Sequence, residues 1–185
     1  MDQSARARQI LESAELIHSA AAVDAAIARV AAEIGARLKD QFPLVLSVMG
    51  GAVVFTGRLL PLLDFPLDFD YIHASRYGDA TSGGKIHWKV EPKSNVSGRV
   101  VLVLDDILDQ GETMLAIHER VLGLGAAAFH CAVLTDKVKN APKPIRAEFI
   151  GLSVPDRFVF GCGMDAYGVW RNLPAIYALR QDAQA

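Results

Sequence analysis

A continuous aliphatic run over residues 100–104 ends directly in two aspartates, and this feature constrains the fold more than any other. A strand that is apolar on both faces must be covered on both faces, which is typical of a parallel sheet buried between helices. Other short β-rich runs, divided by Gly, Pro and Asp, lie at residues 44–49, 67–75, 85–90, 128–135, 148–154 and 158–160. Helical patterns separate several of these runs, so the sequence predicts an α/β fold with a mainly parallel sheet flanked by helices.

The helical patterns lie at three places in the chain. The first forty residues read as helix, because apolar residues recur near helical spacing and residues 20–38 are rich in Ala. Residues 52–63 form a second helical stretch, and residues 112–122 form a third that Gly123 closes. The sequence has no internal repeat and no linker that would divide it, so we expect a single domain.

The composition excludes several classes of protein. The 185 residues are 51% hydrophobic with a formal net charge of -2, which is too apolar and too weakly charged for a disordered chain. No stretch approaches the roughly 18 uninterrupted apolar residues of a membrane span, and the N-terminus lacks the apolar core of a signal peptide. Two cysteines are too few for a disulfide framework. We therefore expect a cytoplasmic protein with no membrane partner and, from its near-neutral charge, no nucleic-acid partner.

Three acids, a glycine and a threonine follow the aliphatic run and lead into a predicted helix. Ligands of open α/β sheets bind at the carboxyl ends of strands, often against a helix N-terminus. Gly111 permits a tight turn and a close approach of the backbone to a ligand, and the Thr113 hydroxyl suits an anion. Asp105 and Asp106 suit sugar hydroxyls or a hydrated magnesium ion. The alternative is a plain strand–turn–helix in which Asp109 or Thr113 only caps the helix.

This segment resembles the phosphoribosyl pyrophosphate motif of type I phosphoribosyltransferases, and Asp109 makes it most similar to the hypoxanthine-guanine phosphoribosyltransferases. The resemblance, which extends over about residues 44–179, implies that Asp105 and Asp106 address the ribose hydroxyls. It implies that Asp109 lies near purine N7 and acts as a general base or acid. It also implies a cradle for the 5′-phosphate, made of Asp109, Gln110, Gly111, Glu112 and Thr113.

Two further segments match the parts of the family that hold pyrophosphate. Met49, Gly50 and Gly51 match a loop that binds pyrophosphate through its backbone. The family loop usually contains a cis peptide, which we expect here between Val48 and Met49. Some family members have lysine at the position of Met49. The match therefore implies that this loop binds pyrophosphate through its backbone and not through the side chain of Met49. Arg171 matches the arginine that holds pyrophosphate, a role suited to its forked donors.

Residues 75–84 resemble the loop that closes over the reaction centre in this family. The segment is glycine-rich and polar, as a mobile lid requires. Family members commonly have Ser-Tyr where this chain has Arg76-Tyr77. The resemblance therefore assigns Tyr77 to the phosphoribosyl pyrophosphate site and gives Arg76 no role.

The purine site implied by the resemblance uses residues from two segments. Lys137 matches the lysine that donates to the purine 6-oxo oxygen, and an ammonium group has only donors. Phe158 matches the residue that stacks on the base, and the backbone of Val159 reads the edge of the base. Asp165 borders this site and contacts the second magnesium. The implied ligands of Mg²⁺, the expected cofactor, are Asp105, Asp106 and Asp165.

The resemblance also implies the domain plan and the assembly. We expect a type I phosphoribosyltransferase fold over residues 1–185, with N-terminal helices over residues 1–42 and a core over about residues 43–154. A small hood is expected from the N-terminus and about residues 155–185. The family usually forms homodimers or homotetramers, and the apolar helix over residues 52–63 is one candidate for the interface.

The expected activity is purine salvage. The enzyme would transfer phosphoribosyl from phosphoribosyl pyrophosphate to N9 of hypoxanthine or guanine, which gives IMP or GMP and pyrophosphate. Two alternatives stay open from the sequence. One is a regulatory protein that binds phosphoribosyl pyrophosphate, and the other is a phosphoribosyltransferase specific for xanthine or a pyrimidine.

Overall fold

The computed structural model describes residues 2–76 and 86–180. The helices are α1 (Gln3–Glu12), α2 (Ala20–Leu38), α3 (Val53–Leu59), which continues into a 3-10 turn (Leu60–Leu62), and α4 (Glu112–Gly123). The strands are β1 (Glu15–His18), β2 (Leu44–Val48), β3 (Asp68–Arg76), β4 (Ile86–Val90), β5 (Val100–Leu108), β6 (Ala128–Lys137), β7 (Phe149–Val154), β8 (Val159–Phe160) and β9 (Ile176–Ala178). None of the helices in this part of the chain has the length and apolar character needed to cross a bilayer.

Six strands form the central sheet, in the order β4-β3-β2-β5-β6-β7. Strands β3, β2, β5, β6 and β7 run parallel, and β4 pairs antiparallel with β3 at one edge. The carboxyl ends of β2, β5 and β6 therefore meet at one side of the molecule, as ligand sites of α/β sheets require. The predicted α/β fold with a mainly parallel sheet is confirmed.

The aliphatic run of β5 is buried on both faces, because successive side chains of a strand point to opposite sides. Leu102 and Leu104 pack in the apolar cluster that contains α2 and α3. Val101 and Val103 pack in the cluster on the other face, which contains α4. All four side chains are fully buried. The aliphatic run of β5 therefore reflects burial of a parallel strand between two layers of helices, as the sequence predicted.

The prediction that the first forty residues read as helix is wrong at β1. Leu16 and Ile17, which fit the helical spacing, lie in β1, between α1 and α2. Strand β1 pairs antiparallel with β9, and β9 pairs with β8, which makes a separate three-stranded sheet, here called the small sheet. The partner of β1 lies far along the chain, so no local pattern could reveal the pairing. Strand β9 was not predicted for the same reason.

Strand β5 is longer than predicted and ends at Leu108 rather than at residue 104. The pairing with β6 continues through the acidic residues, with Asp105 opposite Val133 and Leu108 opposite Asp136. Main-chain hydrogen bonds to β6 thus hold this stretch extended despite its polar side chains. Asp105 and Asp106 therefore lie on a strand of the sheet rather than on a loop after it.

Candidate active site

A cavity of about 370 Å³ opens where β5 ends and α4 begins. Gly111 is the N-cap of α4 and has a φ of +85°, in the left-handed region that favours glycine. A Cβ on Gly111 would also lie only 3.3 Å from Pro144 Cδ, so the turn has little room for a side chain. Backbone amides at a helix N-terminus, together with the helix dipole, attract an anion. The lining of this first cavity includes Met49, Gly51, Asp105, Asp106, Asp109, Gln110, Gly111, Glu112, Thr113 and Arg171.

Asp105 and Asp106 present adjacent carboxylates to the first cavity. The two are linked locally, since the backbone N–H of Asp106 donates to Asp105 Oδ1 at 2.9 Å. Desolvation raises the pKa of Asp105 well above its usual range, and the neighbouring charge of Asp106 raises it further. Desolvation also raises the pKa of Asp106, although the Arg171 charge opposes this shift. The pair therefore favours a cation or hydroxyl donors as its ligand.

The loop after β2, residues 48–51, forms another wall of the first cavity. Its cis peptide lies between Met49 and Gly50, so the expected position between Val48 and Met49 is wrong by one residue. Val48 still pairs with Ile72 in the sheet, and the N–H of Met49 donates to the carbonyl of Ile72 at 2.8 Å. Regular strand geometry thus continues up to Met49, and the backbone departs from it only afterwards.

Gly51 and Gly163 bring three segments into direct contact beside the acids. A Cβ on Gly51 would lie 1.9 Å from Asp106 Oδ2. A Cβ on Gly163 would lie 1.9 Å from the carbonyl oxygen of Gly51, and Gly163 has a φ of +106°. Glycine at both positions is therefore what allows the 48–51 loop, strand β5 and residues 161–171 to meet.

Arg171 is held at the edge of the first cavity by its own segment. Its Nη1 donates to the carbonyl of Gly163 at 2.6 Å, and its Nη2 pairs with Asp165 Oδ1. The other carboxylate oxygen of Asp165 accepts from the backbone N–H of Gly168 at 2.7 Å. Trp170, just before the arginine, has a φ of +71° and donates from its indole to the carbonyl of Ala7 in α1 at 2.7 Å. Both oxygens of Asp165 are thus engaged within this segment.

Asp109 is bound by two lysines. Lys137 Nζ donates to Asp109 Oδ2 at 2.7 Å, and Lys139 Nζ lies 2.9 Å from Asp109 Oδ1. Burial acts to raise the pKa of Asp109, but the hydrogen bonds and charges of the two lysines outweigh it and hold the pKa below its ordinary value. Asp109 is therefore an ionised carboxylate at neutral pH.

A second cavity, of about 230 Å³, adjoins the first and has an aromatic wall. Phe158 is 42% exposed and stacks on Tyr167, with ring centroids 5.7 Å apart and planes at 11°. Phe158 lines the second cavity, and Tyr167 supports it from outside that lining. Asp109 lines both cavities. The other lining residues of the second cavity are Asp106, Ile107, Lys137, Val159, Met164, Asp165 and Arg171.

The structure thus brings together the predicted residues from four separate segments of the chain. Gly50 follows the cis bond in the 48–51 loop, and Val159 is buried at the start of β8. Tyr77 and most of the expected lid lie outside the described residues. Of Arg76, only the backbone at the end of β3 is described.

Two residues of the site were missed from the sequence, namely Lys139 and Gly163. The spacing of Lys137 and Lys139 carried a usable signal, because alternate residues of an extended chain point to the same side. Gly163 carried none, since its close neighbour, Gly51, lies more than a hundred residues earlier in the chain.

The fold and the two cavities define an α/β protein whose site fits an anionic sugar phosphate beside a flat ring. The phosphoribosyl transferase domain family matches residues 13–167. The chain belongs to the phosphoribosyltransferase family, and the predicted resemblance is confirmed.

Several relatives are named for the same enzymatic activity. The hypoxanthine-guanine phosphoribosyltransferase of Bacillus subtilis is 35% identical over 150 residues, which cover 80% of this chain and 83% of that protein. The hypoxanthine-guanine-xanthine phosphoribosyltransferase of Tritrichomonas foetus is 34% identical over 156 residues, which cover 84% of this chain and 85% of that protein. A hypoxanthine phosphoribosyltransferase from Trypanosoma cruzi, solved as a ternary substrates complex, superposes with a TM-score of 0.86 at 28% identity, covering 94% of this chain and 100% of that one.

Proposed function

We propose that this chain is a hypoxanthine-guanine phosphoribosyltransferase of purine salvage. It transfers phosphoribosyl from phosphoribosyl pyrophosphate to N9 of hypoxanthine or guanine and releases pyrophosphate. The observation that carries the proposal is the position of Asp109, which lines both the anion-binding cavity and the aromatic cavity. A carboxylate at that boundary lies between a sugar phosphate on one side and a purine on the other.

The sugar phosphate binds in the first cavity. The 5′-phosphate accepts from the backbone amides at the start of α4 and from the Thr113 hydroxyl, as anions do at helix N-termini. Asp105 and Asp106 accept from the ribose hydroxyls at the end of β5. The 48–51 loop and Arg171 hold the pyrophosphate, Arg171 through its forked donors. The expected role of Tyr77 in excluding water from the reaction stays a prediction, because Tyr77 lies outside the described residues.

The acids of β5 fit a magnesium ion that arrives with the substrate. Magnesium prefers oxygen ligands and is usually bound by one or two carboxylates plus substrate phosphates, with several waters retained. Burial raises the pKa of the adjacent carboxyls Asp105 and Asp106, and a divalent cation beside them would stabilise their ionised form. Within residues 2–76 and 86–180, no group of three or more His, Cys, Asp or Glu side chains is arranged to hold a metal by itself. When bound, the ion would help to neutralise the departing pyrophosphate.

Asp165 is the third proposed metal ligand, and its present contacts limit that role. Both of its oxygens already have partners, Arg171 and the N–H of Gly168. Each carboxylate oxygen can accept more than one partner, but the positive charge of Arg171 beside Oδ1 disfavours a magnesium ion there. Movement of Arg171 toward pyrophosphate would remove this repulsion, so the two proposed roles are compatible.

The chemistry of transfer follows from these positions. The bond from C1′ of the ribose to pyrophosphate breaks with its electron pair on the leaving oxygen, and N9 of the purine supplies the pair for the new bond. Stabilisation of the leaving anion by Arg171 and the loop amides lowers the barrier. The purine gains positive charge as N9 bonds, and the ionised Asp109 near N7 accepts the proton that the ring then releases.

Lys137 supplies the selectivity for 6-oxopurines. Its side chain is buried in the second cavity at 8% residue exposure, so its charge requires a partner there. In the structure that partner is Asp109. When a purine fills the cavity beside Phe158, the ammonium group donates a hydrogen bond to the 6-oxo oxygen. The amino group of adenine at the same position could not accept this hydrogen bond.

Replacement of Lys137 by Met should therefore raise KM for hypoxanthine by about 10-fold or more, the loss expected for a hydrogen bond from a charged donor. Methionine preserves most of the buried volume, so the change tests the ammonium group rather than packing. Steady-state assays of hypoxanthine and adenine measure the effect, with Lys39→Met at the exposed end of α2 as control. Equal use of adenine and hypoxanthine by the wild-type protein would refute the assignment of Lys137.

A steady-state assay of hypoxanthine, guanine, xanthine and adenine with phosphoribosyl pyrophosphate and Mg²⁺ tests the proposed function. We expect turnover of hypoxanthine and guanine, release of pyrophosphate, and no turnover of adenine. Xanthine is the second candidate base, because the relative from Tritrichomonas foetus is named for it. Absence of turnover with all four bases would overturn the proposal.

The assembly and location are also proposals. A homodimer or homotetramer is supported by exposed apolar side chains on and near α3, since Val53 is 47% and Leu62 is 48% exposed. A solved relative from Trypanosoma cruzi was studied for its oligomeric state. Light scattering of the purified protein would separate monomer from dimer and tetramer. We propose a cytoplasmic location because the substrates of salvage are small molecules of nucleotide metabolism.

A further inference from the structure

Lys139 joins two carboxylates that belong to different segments of the chain. Its Nζ lies 2.9 Å from Asp109 Oδ1 and 2.6 Å from Asp156 Oδ1. The lysine side chain is 22% exposed, and the neighbouring Val138 points outward at 59% exposure. The side chain of Lys139 therefore lies against Asp109 and Asp156, while that of Val138 faces solvent.

The two lysines bind different oxygens of Asp109, and this division has a consequence for the reaction. Lys137 binds Oδ2, and Lys139 lies beside Oδ1. If Lys137 moves to the 6-oxo oxygen of a bound purine, Oδ2 becomes available to the proton on N7. Lys139 then remains as the cation that holds Asp109 by its other oxygen.

Asp156 connects this ion pair to the aromatic wall. It lies two residues before Phe158, on a segment that is itself anchored to the small sheet. Arg157 pairs with Glu15 of β1 at 2.6 Å and donates to the carbonyl of Leu179 at 2.9 Å. Lys139 therefore ties the loop that carries Asp109 to the fixed segment that carries the stacking ring.

We propose that Lys139 is a positioning residue for phosphoribosyl transfer, which sets the location of the Asp109 carboxylate relative to the purine ring through its bridge to Asp156. The proposal rests on the proposed function of the site. Lys139 touches neither substrate in this scheme and acts through Asp109.

The contacts of Lys139 with Asp109 and Asp156 indicate which properties of the protein its substitution should change. Partly exposed ion pairs contribute little to stability, so the fold should tolerate the substitution. Misplacement of a reacting group by about 1 Å lowers rates strongly, so turnover should not tolerate it. The 5′-phosphate is held by backbone amides of residues 110–113, and its binding should be nearly independent of Lys139.

The experiment compares Lys139→Met, Lys139→Arg, Asp156→Asn and the double variant Lys139→Met/Asp156→Asn with the wild type. Lys139→Met should lower kcat with hypoxanthine by about 10-fold and raise KM for hypoxanthine, while KM for phosphoribosyl pyrophosphate stays within about twofold. Lys139→Arg, which keeps the charge, should recover most of the activity. Asp156→Asn should show a smaller loss in the same parameters, and the double variant should be no worse than Lys139→Met.

Lys39→Met serves as the matched control, because Lys39 is exposed at the end of α2 and precedes the amino end of the sheet. Wild-type kinetics in Lys139→Met, or equal losses in Lys139→Met and Lys139→Arg, would overturn the positioning role. If Lys139→Met does not fold, unchanged kinetics in Asp156→Asn would overturn the bridge. An inactive wild type would instead refute the proposed function, so the two failures are distinguishable.

Discussion

Replacement of Asp109 by Asn should lower kcat with hypoxanthine by about 10²-fold or more, the range typical for loss of a general acid or base. The two side chains have nearly the same shape, but an amide cannot accept the proton from purine N7. Lys137 and Lys139 hold the pKa of Asp109 below its ordinary value, although burial opposes them, so the wild-type carboxylate is ready to accept that proton at neutral pH. KM for phosphoribosyl pyrophosphate should change little, because backbone amides hold the 5′-phosphate.

Asp68→Asn is the control for Asp109→Asn. Asp68 starts β3 at the opposite end of the sheet from the site and pairs with Arg99 at 2.8 Å. The same chemical change there also removes a charge from an ion pair, and kcat should be that of the wild type. If Asp109→Asn keeps wild-type turnover of hypoxanthine, the assignment of Asp109 as the proton acceptor is wrong.

The sequence could predict those parts of the site that are continuous in the chain. The run of residues 105–113 holds acids, a turn glycine and a helix start in one stretch, so its chemistry was visible before the fold was known. The parallel sheet was predictable from the aliphatic run of β5, because burial on both faces leaves a pattern in the residues themselves.

The remaining parts depend on contacts between residues far apart in the chain. Strand β1 exists because it pairs with β9, and β5 extends to Leu108 because β6 continues beside it. Such pairing overrides local preference and leaves no local trace. A lysine after a strand is usually a solvated surface residue, and only the fold brings Asp109 and Asp156 to Lys139.

Replacement of Gly163 by Ala should lower kcat/KM for phosphoribosyl pyrophosphate by about 10²-fold or more. The new Cβ would lie 1.9 Å from the carbonyl oxygen of Gly51, which is backbone and cannot rotate away. The 48–51 loop and residues 161–171 must then separate. Arg171 moves with Gly163, because two hydrogen bonds link the residues. Arg171 Nη1 donates to the carbonyl of Gly163, and the N–H of Gly163 donates to the carbonyl of Arg171 at 2.8 Å. The two proposed holders of pyrophosphate are thus displaced together.

Gly98→Ala separates this clash from simple backbone strain. Gly98 has a φ of +74°, but a methyl group added to it would have no neighbour within 4 Å, and it precedes β5 at the end of the sheet away from the site. Alanine there should lower the free energy of unfolding by about 1–2 kcal/mol, the cost of a left-handed conformation, and leave kcat/KM unchanged. Thermal melts and initial rates of both variants make the comparison. Both glycines have a positive φ, but only at Gly163 does a backbone oxygen lie in the path of the added methyl group. If Gly163→Ala matches Gly98→Ala in activity, close contact between the two loops is therefore not what holds Arg171 in place.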